Sequence, residues 1–523
     1  MASSMVSDPQ LDPARGYRAF EEFLQPVERV TMSVAPALGG YSHEVVGLRL
    51  MQRIVELAVY PYIQAAAASH ARGAALPTPA AGSLKLGGLR FRDNRVTVTP
   101  ATWMRGVVDF CIQWIRVIAC IAGAGRDAIP VRATLLMGVG LADLTVDGSD
   151  ARFIDFCRRG PLPPLRDATH LVVESTQRLT SSQPARVSYA RQPLLALLRA
   201  HPPRGRDLLQ FFGTHLAAAA AFFRHSFFCP LACLLARDLA FHAAAAALNQ
   251  RGSLEAIVIT NSYFQTQPLW MRALAARRFE THMVWYSQNT IPFVFRPDGT
   301  RSDLPHYRHM AVDAHWVWTE GYATYVRALD TGAKVHVVGP ILWRLPEAAA
   351  PAASTLSIAI FDVTPMHEDI AQKIGLPRNY YATVNMIAFL EQATSACERI
   401  ATQLGRRVEV VLKHKRTHSD IHDTRYIEFV DRLATAGRIR LVSPQANLYS
   451  LIAASTAIIV VPYSSPAYVA SALGIPAIYL DATDSIEATH EPAPFVDFAS
   501  GEVVLAEKLS TALLAHGREV CHA

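Results

Sequence analysis

Lysine is rare in this chain, and two lysines stand only two positions apart. Lysines occur at 85, 334, 373, 413, 415 and 508, so six of the 50 basic residues are lysine and 44 are arginine. The pair lies in RRVEVVLKHKR, where an apolar run ends and Lys413, His414, Lys415 and Arg416 follow. Alternation along a strand would turn Lys413 and Lys415 to the same side. Two such cations beside Arg416 suit a many-oxygen anion such as a phosphate. A solvated basic turn is the plainer alternative.

Three further groups could do chemistry. In VVPYSSPAYVASALG a strand ends at Pro462, Tyr463, Ser464 and Ser465 make a turn, and Pro466 fits the first position of a helix. Free N–H groups at that helix start would suit an anion, and Ser465 could equally serve only as the helix cap. In IAIFDVTP, Asp362 follows an apolar strand. A carboxylate there suits a base or nucleophile, or a cap for the turn before Pro365. In ITNSYFQTQP and WYSQN, Asn261, Ser262, Gln265, Gln288 and Asn289 are neutral hydrogen-bonding groups after strands. They suit sugar hydroxyls, or simply the formation of turns.

The elements that must position these groups follow from period and punctuation. From residue 133 onward short apolar runs alternate with helical segments: ATLLMGVGLADL, HLVVEST, EAIVITNS, HMVWYSQN, AHWVWTEG and KVHVVGP read as strands. A long helical region covers 204–250, and PEAAAPAAST (346–355) has the composition of a linker. A second series then begins: strands in 356–365, 406–416 (with a basic end), 439–444, 456–466 and 475–483, helices at 382–404, 426–437, 448–455 and 466–474. A last helix, 503–516, is expected to cross back to the first series. The fold class expected is therefore α/β, two Rossmann-like domains in series with a helical N-terminal region. The divisions are 1–125, mostly helical; 126–345, the first Rossmann-like domain; 356–505, the second; and 506–523, a C-terminal helix and tail. Ligands of such sheets bind at the carboxyl ends of the strands, which is where all four groups fall.

Composition narrows the function classes. Half of the 523 residues are apolar and 18% are charged, so a sizeable core is available. The net charge of +6 comes without a dense basic run, which argues against a nucleic-acid binder and leaves room for a basic face toward a membrane. Seven irregularly spaced cysteines without a CxxC pair point to a reducing, cytoplasmic compartment. The N-terminus has no apolar core of a signal peptide. The apolar stretches 107–124 and 215–249 carry internal charges and are expected as buried helices rather than membrane spans. Gly138-x-Gly140 lacks the third glycine of a dinucleotide site, and no Walker A, HExxH or G-x-S-x-G motif occurs. Asp143, Asp147 and Asp150 lack the spacing of a calcium loop. No metal or cofactor is expected.

FDVTP, the basic strand end KHKR and the element PYSSPAYVASALGIPAIYLD together resemble bacterial surface-polysaccharide glycosyltransferases of the GT-B fold. Within these they look most like retaining Kdo transferases of capsule and lipopolysaccharide assembly. The resemblance covers 255–500. It implies a nucleotide-sugar donor, with CMP-Kdo as the specific form, and a glycan or lipid-linked acceptor. It places the donor at Lys413, His414, Lys415, Arg416, Tyr463, Ser464, Ser465 and Pro466, makes Asp362 the nucleophile, and gives acceptor recognition to Asn261, Ser262, Gln288 and Asn289. It implies metal-independent transfer at the cytoplasmic face of the membrane. A nucleotide-sugar epimerase, and a non-catalytic assembly protein on the same scaffold, are the competing readings.

Overall fold

A computed structural model describes residues 13–71, 83–123, 129, 132–140, 144, 151–175, 186–260, 267–272, 277–286, 294–295, 300–301, 307, 309–330, 332–343, 356–367, 380–415, 417–419, 422–488 and 493–522. The chain divides into two compact units. The first holds residues 15–286 and 304–343; the second holds 287–303 and 344–523, with a short N-terminal piece.

The first unit opens with the helices Pro13–Val34 and His43–Ala71 and a three-stranded antiparallel meander, β1 (Leu84–Leu86), β2 (Leu89–Arg92) and β3 (Arg95–Val98). The turn Asp93–Asn94 closes β2 on β3, with both residues at positive φ. Its main layer is a parallel sheet of seven strands: β4 (Ala133–Met137), β5 (Leu171–Glu174), β6 (Val187–Ala190), β7 (Leu254–Thr260), β8 (Glu280–Val284), and, beyond a small hairpin of β9 (Val294–Phe295) and β10 (Thr300–Arg301), β11 (Ala314–Val317) and β12 (Lys334–Val337). The order β12-β11-β8-β7-β4-β5-β6 runs outward from its first strand in both directions, which is Rossmann topology. All side chains of β4 and β11 are buried, as a sheet covered on both faces requires.

The described residues between 15 and 123 fold as part of this unit rather than as a region of their own. Arg49, on the His43–Ala71 helix, donates to Asp238 at 2.8 Å with both side chains buried. Tyr41 bonds His242 at 2.6 Å. The expected long helix 204–250 is broken after Arg206–Phe228, because Pro230 has no N–H to continue it; a 3-10 turn and two short helices follow. Among the described residues one stretch, Pro230–Gln250, is apolar and long enough to cross a membrane by composition, and it is mostly buried within the protein.

The second unit is a six-stranded parallel sheet: β13 (Leu356–Phe361), β14 (Val408–Lys413), β15 (Arg440–Val442), β16 (Ala457–Val460), β17 (Ala477–Asp481) and β18 (Val496–Ser500). The order β15-β14-β13-β16-β17-β18 is again the Rossmann order, 3-2-1-4-5-6. β18 was not anticipated, because VDFAS mixes polar and apolar positions at a sheet edge. The last helix, Gly501–His522, packs on the Thr383–Leu404 helix and the β17–β18 side of this same unit. Arg399 bonds Glu502 at 2.5 Å across that contact. It therefore belongs to the second unit.

Candidate functional site

Parallel registry brings three strand ends to one edge of the second sheet. Phe361 of β13 lies beside Lys413 of β14 on one side and Val460 of β16 on the other. The strand order reverses between β13 and β16, and ligands of open α/β sheets bind outside the strand ends at such a reversal. Asp362 follows β13 there, His414 follows β14, and the Tyr463–Ser465 turn follows β16.

Asp362 is a closed hub. Its side chain is 0% exposed. One oxygen accepts the backbone N–H of Lys415 at 2.9 Å; the other accepts His414 Nδ1–H at 2.7 Å and the Tyr426 hydroxyl at 2.6 Å. Burial, followed by the Asp362 charge, pushes the Tyr426 phenol well above its usual range, so it stays protonated and donates. The expected nucleophile at Asp362 does not fit this geometry, because neither oxygen is open to a sugar carbon. Its carboxylate instead locks the His414 imidazole, with the proton on Nδ1. The opposite nitrogen, His414 Nε2, is buried and makes no hydrogen bond among the described residues. A buried ring nitrogen without a partner is costly, and this one stands at the sheet edge where a ligand is expected.

The two lysines do not act as a pair. Lys413 is buried. Its ammonium donates to the Pro444 carbonyl at 2.7 Å, tying β14 to the end of β15. Burial lowers its pKa against the pull of Asp362. Lys415 is exposed. Strand alternation stops at Lys413, where β14 ends, and so the expected common direction is lost. Arg416 lies outside the described residues. His418 is exposed, its ring 4.6 Å from that of His414 and 6.3 Å from that of His422. Burial first, then the neighbouring imidazoles, lower its pKa. Among the described residues no group of three side chains could hold a metal ion.

The turn after β16 is built differently from the expectation. Tyr463 has φ 58°, a left-handed conformation that costs energy for a tyrosine. Its hydroxyl donates to the Glu487 carbonyl at 2.9 Å, and its ring meets Tyr479 at 5.5 Å, which hold it there. Ser464 donates back to the Val461 carbonyl at 2.7 Å. Ser465 occupies the cap position but makes no side-chain cap, and the Pro466–Ala472 helix has only seven residues, too few to supply much aligned dipole.

Sequence reasoning missed Tyr426, which lies in the middle of an amphipathic helix with no motif around it, and Asp481. Asp481 ends β17 fully buried and accepts from Tyr380 at 2.9 Å and from the Ile486 backbone at 2.7 Å. The spacing His414, His418, His422 was the one visible signal for the histidine row. In the first unit, β7 ends at Thr260, whose hydroxyl donates to the Gly138 carbonyl. Asn261, Ser262, Gln265, Gln288 and Asn289 lie outside the described residues.

Residues 218–509 match the family model described as "Polysaccharide biosynthesis PFTS motif protein", 292 of the 523 positions. The chain belongs to this family. The matched segment begins within the Arg206–Phe228 helix and takes in the whole strand-end edge of the second unit. No curated protein matches the sequence. Solved structures are similar at a greater distance. The Methanocaldococcus jannaschii UDP-GlcNAc 2-epimerase, in complex with UDP-GlcNAc and UDP, is 12% identical over 73% of this chain and 92% of its own, with a TM-score of 0.37. E. coli ADP-heptose lps heptosyltransferase II is 11% identical over 74% of this chain and 99% of its own, with a TM-score of 0.30. TarM is 9% identical over 50% of this chain, with a TM-score of 0.31, and the chain spans about half of TarM's length (49%). Likenesses this distant carry no argument about the reaction or the site.

Proposed function

We propose that this member of the polysaccharide-biosynthesis family is a glycosyltransferase, moving a sugar from a nucleotide-sugar donor to a growing glycan or glycolipid. The observation that carries the reading is the Asp362–His414 lock at the β13–β14 strand ends, inside the segment that defines the family. His414 Nε2 meets the donor, as acceptor when the ring is neutral and as donor when it is protonated. Asp362 fixes the ring and offsets its charge, the part a carboxylate plays behind an imidazole. Lys415, exposed beside the lock, and Arg416 supply positive charge for the phosphate; Ser464 and Ser465 flank it across the reversal. Lys413 supports the edge from below. Asn261, Ser262, Gln288 and Asn289 take the acceptor's hydroxyls. The finer reading, Kdo from CMP-Kdo without a metal, rests on the sequence resemblance.

The test is release of nucleotide from a panel of nucleotide sugars, CMP-Kdo among them, with and without a glycan acceptor and with a metal chelator. Acceptor-dependent release that survives the chelator is expected. Release without acceptor would move the assignment to an epimerase, and no release from any donor would favour a non-catalytic scaffold.

A further inference from the structure

The helices Pro100–Ala122 and Arg206–Phe228 of the first unit lie antiparallel against each other. Trp103 donates to the Ser226 carbonyl at 2.8 Å, Phe110 stacks on Phe222 with centroids 4.0 Å apart, and Trp114 stacks on His215 at 4.6 Å. The apolar stretches 107–124 and 215–249 were expected as buried helices, but these two helices are each buried on one side only. On the first, Met104, Val108, Ile112 and Ile115 form an exposed stripe at helical spacing. On the second, Leu209, Leu216, Phe223 and Phe227 do the same, with Leu209 and Phe227 each 75% exposed and Phe228 78%. Both stripes border the seam between the helices, so they join into one apolar face. Isolated apolar residues are ordinary on a surface; two adjoining stripes are not.

Charge on this face has one sign. Arg105 and Arg116 are exposed along the outer edge of the first stripe, and Arg206 and Arg224, five helical turns apart, along the outer edge of the second. The two helices carry one acid each, and each is already ion-paired: Asp109 with Arg237 at 2.8 Å, Asp207 with Arg251 at 3.1 Å. We propose that this face docks in the plane of an anionic lipid surface. The apolar stripes enter the boundary between headgroups and acyl chains, and the four arginines meet lipid phosphates on either side. A second copy fits poorly, because face-to-face pairing would bring arginine edges together with no acid left to meet them. The proposal does not depend on the assigned reaction.

Co-sedimentation of the full chain with vesicles tests it, using phosphatidylcholine alone and phosphatidylcholine mixed with phosphatidylglycerol. Binding to the anionic vesicles is expected to be about tenfold tighter or more, and to weaken with salt. The double variants Phe227→Ser/Phe228→Ser and Arg105→Glu/Arg224→Glu should each lower binding about tenfold or more at an unchanged melting temperature, because these side chains are exposed. Failure of the wild type to bind anionic vesicles, or equal binding by both variants, would overturn the proposal. So would a lipid-free dimer, seen by sedimentation velocity, that the Phe227/Phe228 variant dissociates, since the face would then belong to a second copy.

Discussion

Asp362 spends both oxygens inside the second unit. One holds the backbone of Lys415; the other is shared between His414 and Tyr426. Position alone made it a plausible nucleophile, since a carboxylate after the first strand of a Rossmann sheet stands at the ligand edge. What position could not show was that three donors, from two places along the chain, close over it. Asp362→Asn should therefore act on two observables at once. An amide offers an N–H₂ where His414 Nδ1–H needs an acceptor, so stability should fall by about 1–3 kcal/mol, and turnover by about a hundredfold or more as the imidazole loses its orientation. Tyr426→Phe removes one of three donors and should cost turnover less than about tenfold. Calorimetry and steady-state rates on the two variants check this; equal rate losses would show that the carboxylate does not act through His414.

At the scale of elements, strands buried on both faces were legible as continuous apolar runs, and the basic or hydroxyl-rich residues after them marked the strand ends. Two of the four edge strands of the parallel sheets were not, although β12 and β15 at the opposite edges were. β6, with the sequence VSYA, and β18, with VDFAS, are only partly buried, so solvent leaves them no apolar signature. The bond between the N-terminal helices and the first sheet was also invisible, because it rests on charges far apart in sequence. Arg49 and Asp238 pair with side chains 6% and 3% exposed, and Gln52 bridges Arg49 to Arg272. Burial, then the Arg49 charge, pushes the Arg272 guanidinium down to about 9. Arg49→Met leaves Asp238 buried without its partner and should destabilise the protein by about 3–5 kcal/mol. The double variant Arg49→Met/Asp238→Leu should recover much of that in a thermal melt. Equal destabilisation of single and double variants would mean that packing, rather than the ion pair, joins these elements.

At the scale of the whole molecule, the alternation of strands and helices in two series was enough to give two Rossmann-like units, because each parallel connection needs its helix. The same alternation could not assign the last helix or the first 125 residues to a unit, since both depend on which exposed faces find each other. Nor could it separate a buried cation that holds the scaffold from an exposed one: Lys413 and Lys415 look alike in KHKR, and their burial differs. Nucleotide binding is the most direct measure of the proposed role of this edge. Melting temperatures of the wild type and of Lys415→Ala should be compared with CMP, UDP, GDP, ADP and NAD. A ligand that binds only the folded state adds about 2.7 kcal/mol at a hundred times its Kd. The expected result is stabilisation by one sugar-carrying nucleotide, CMP if the donor is CMP-Kdo, lost in Lys415→Ala while the unliganded melting temperature stays the same. Stabilisation by no nucleotide, or the same stabilisation in the variant, would contradict a donor site at these strand ends.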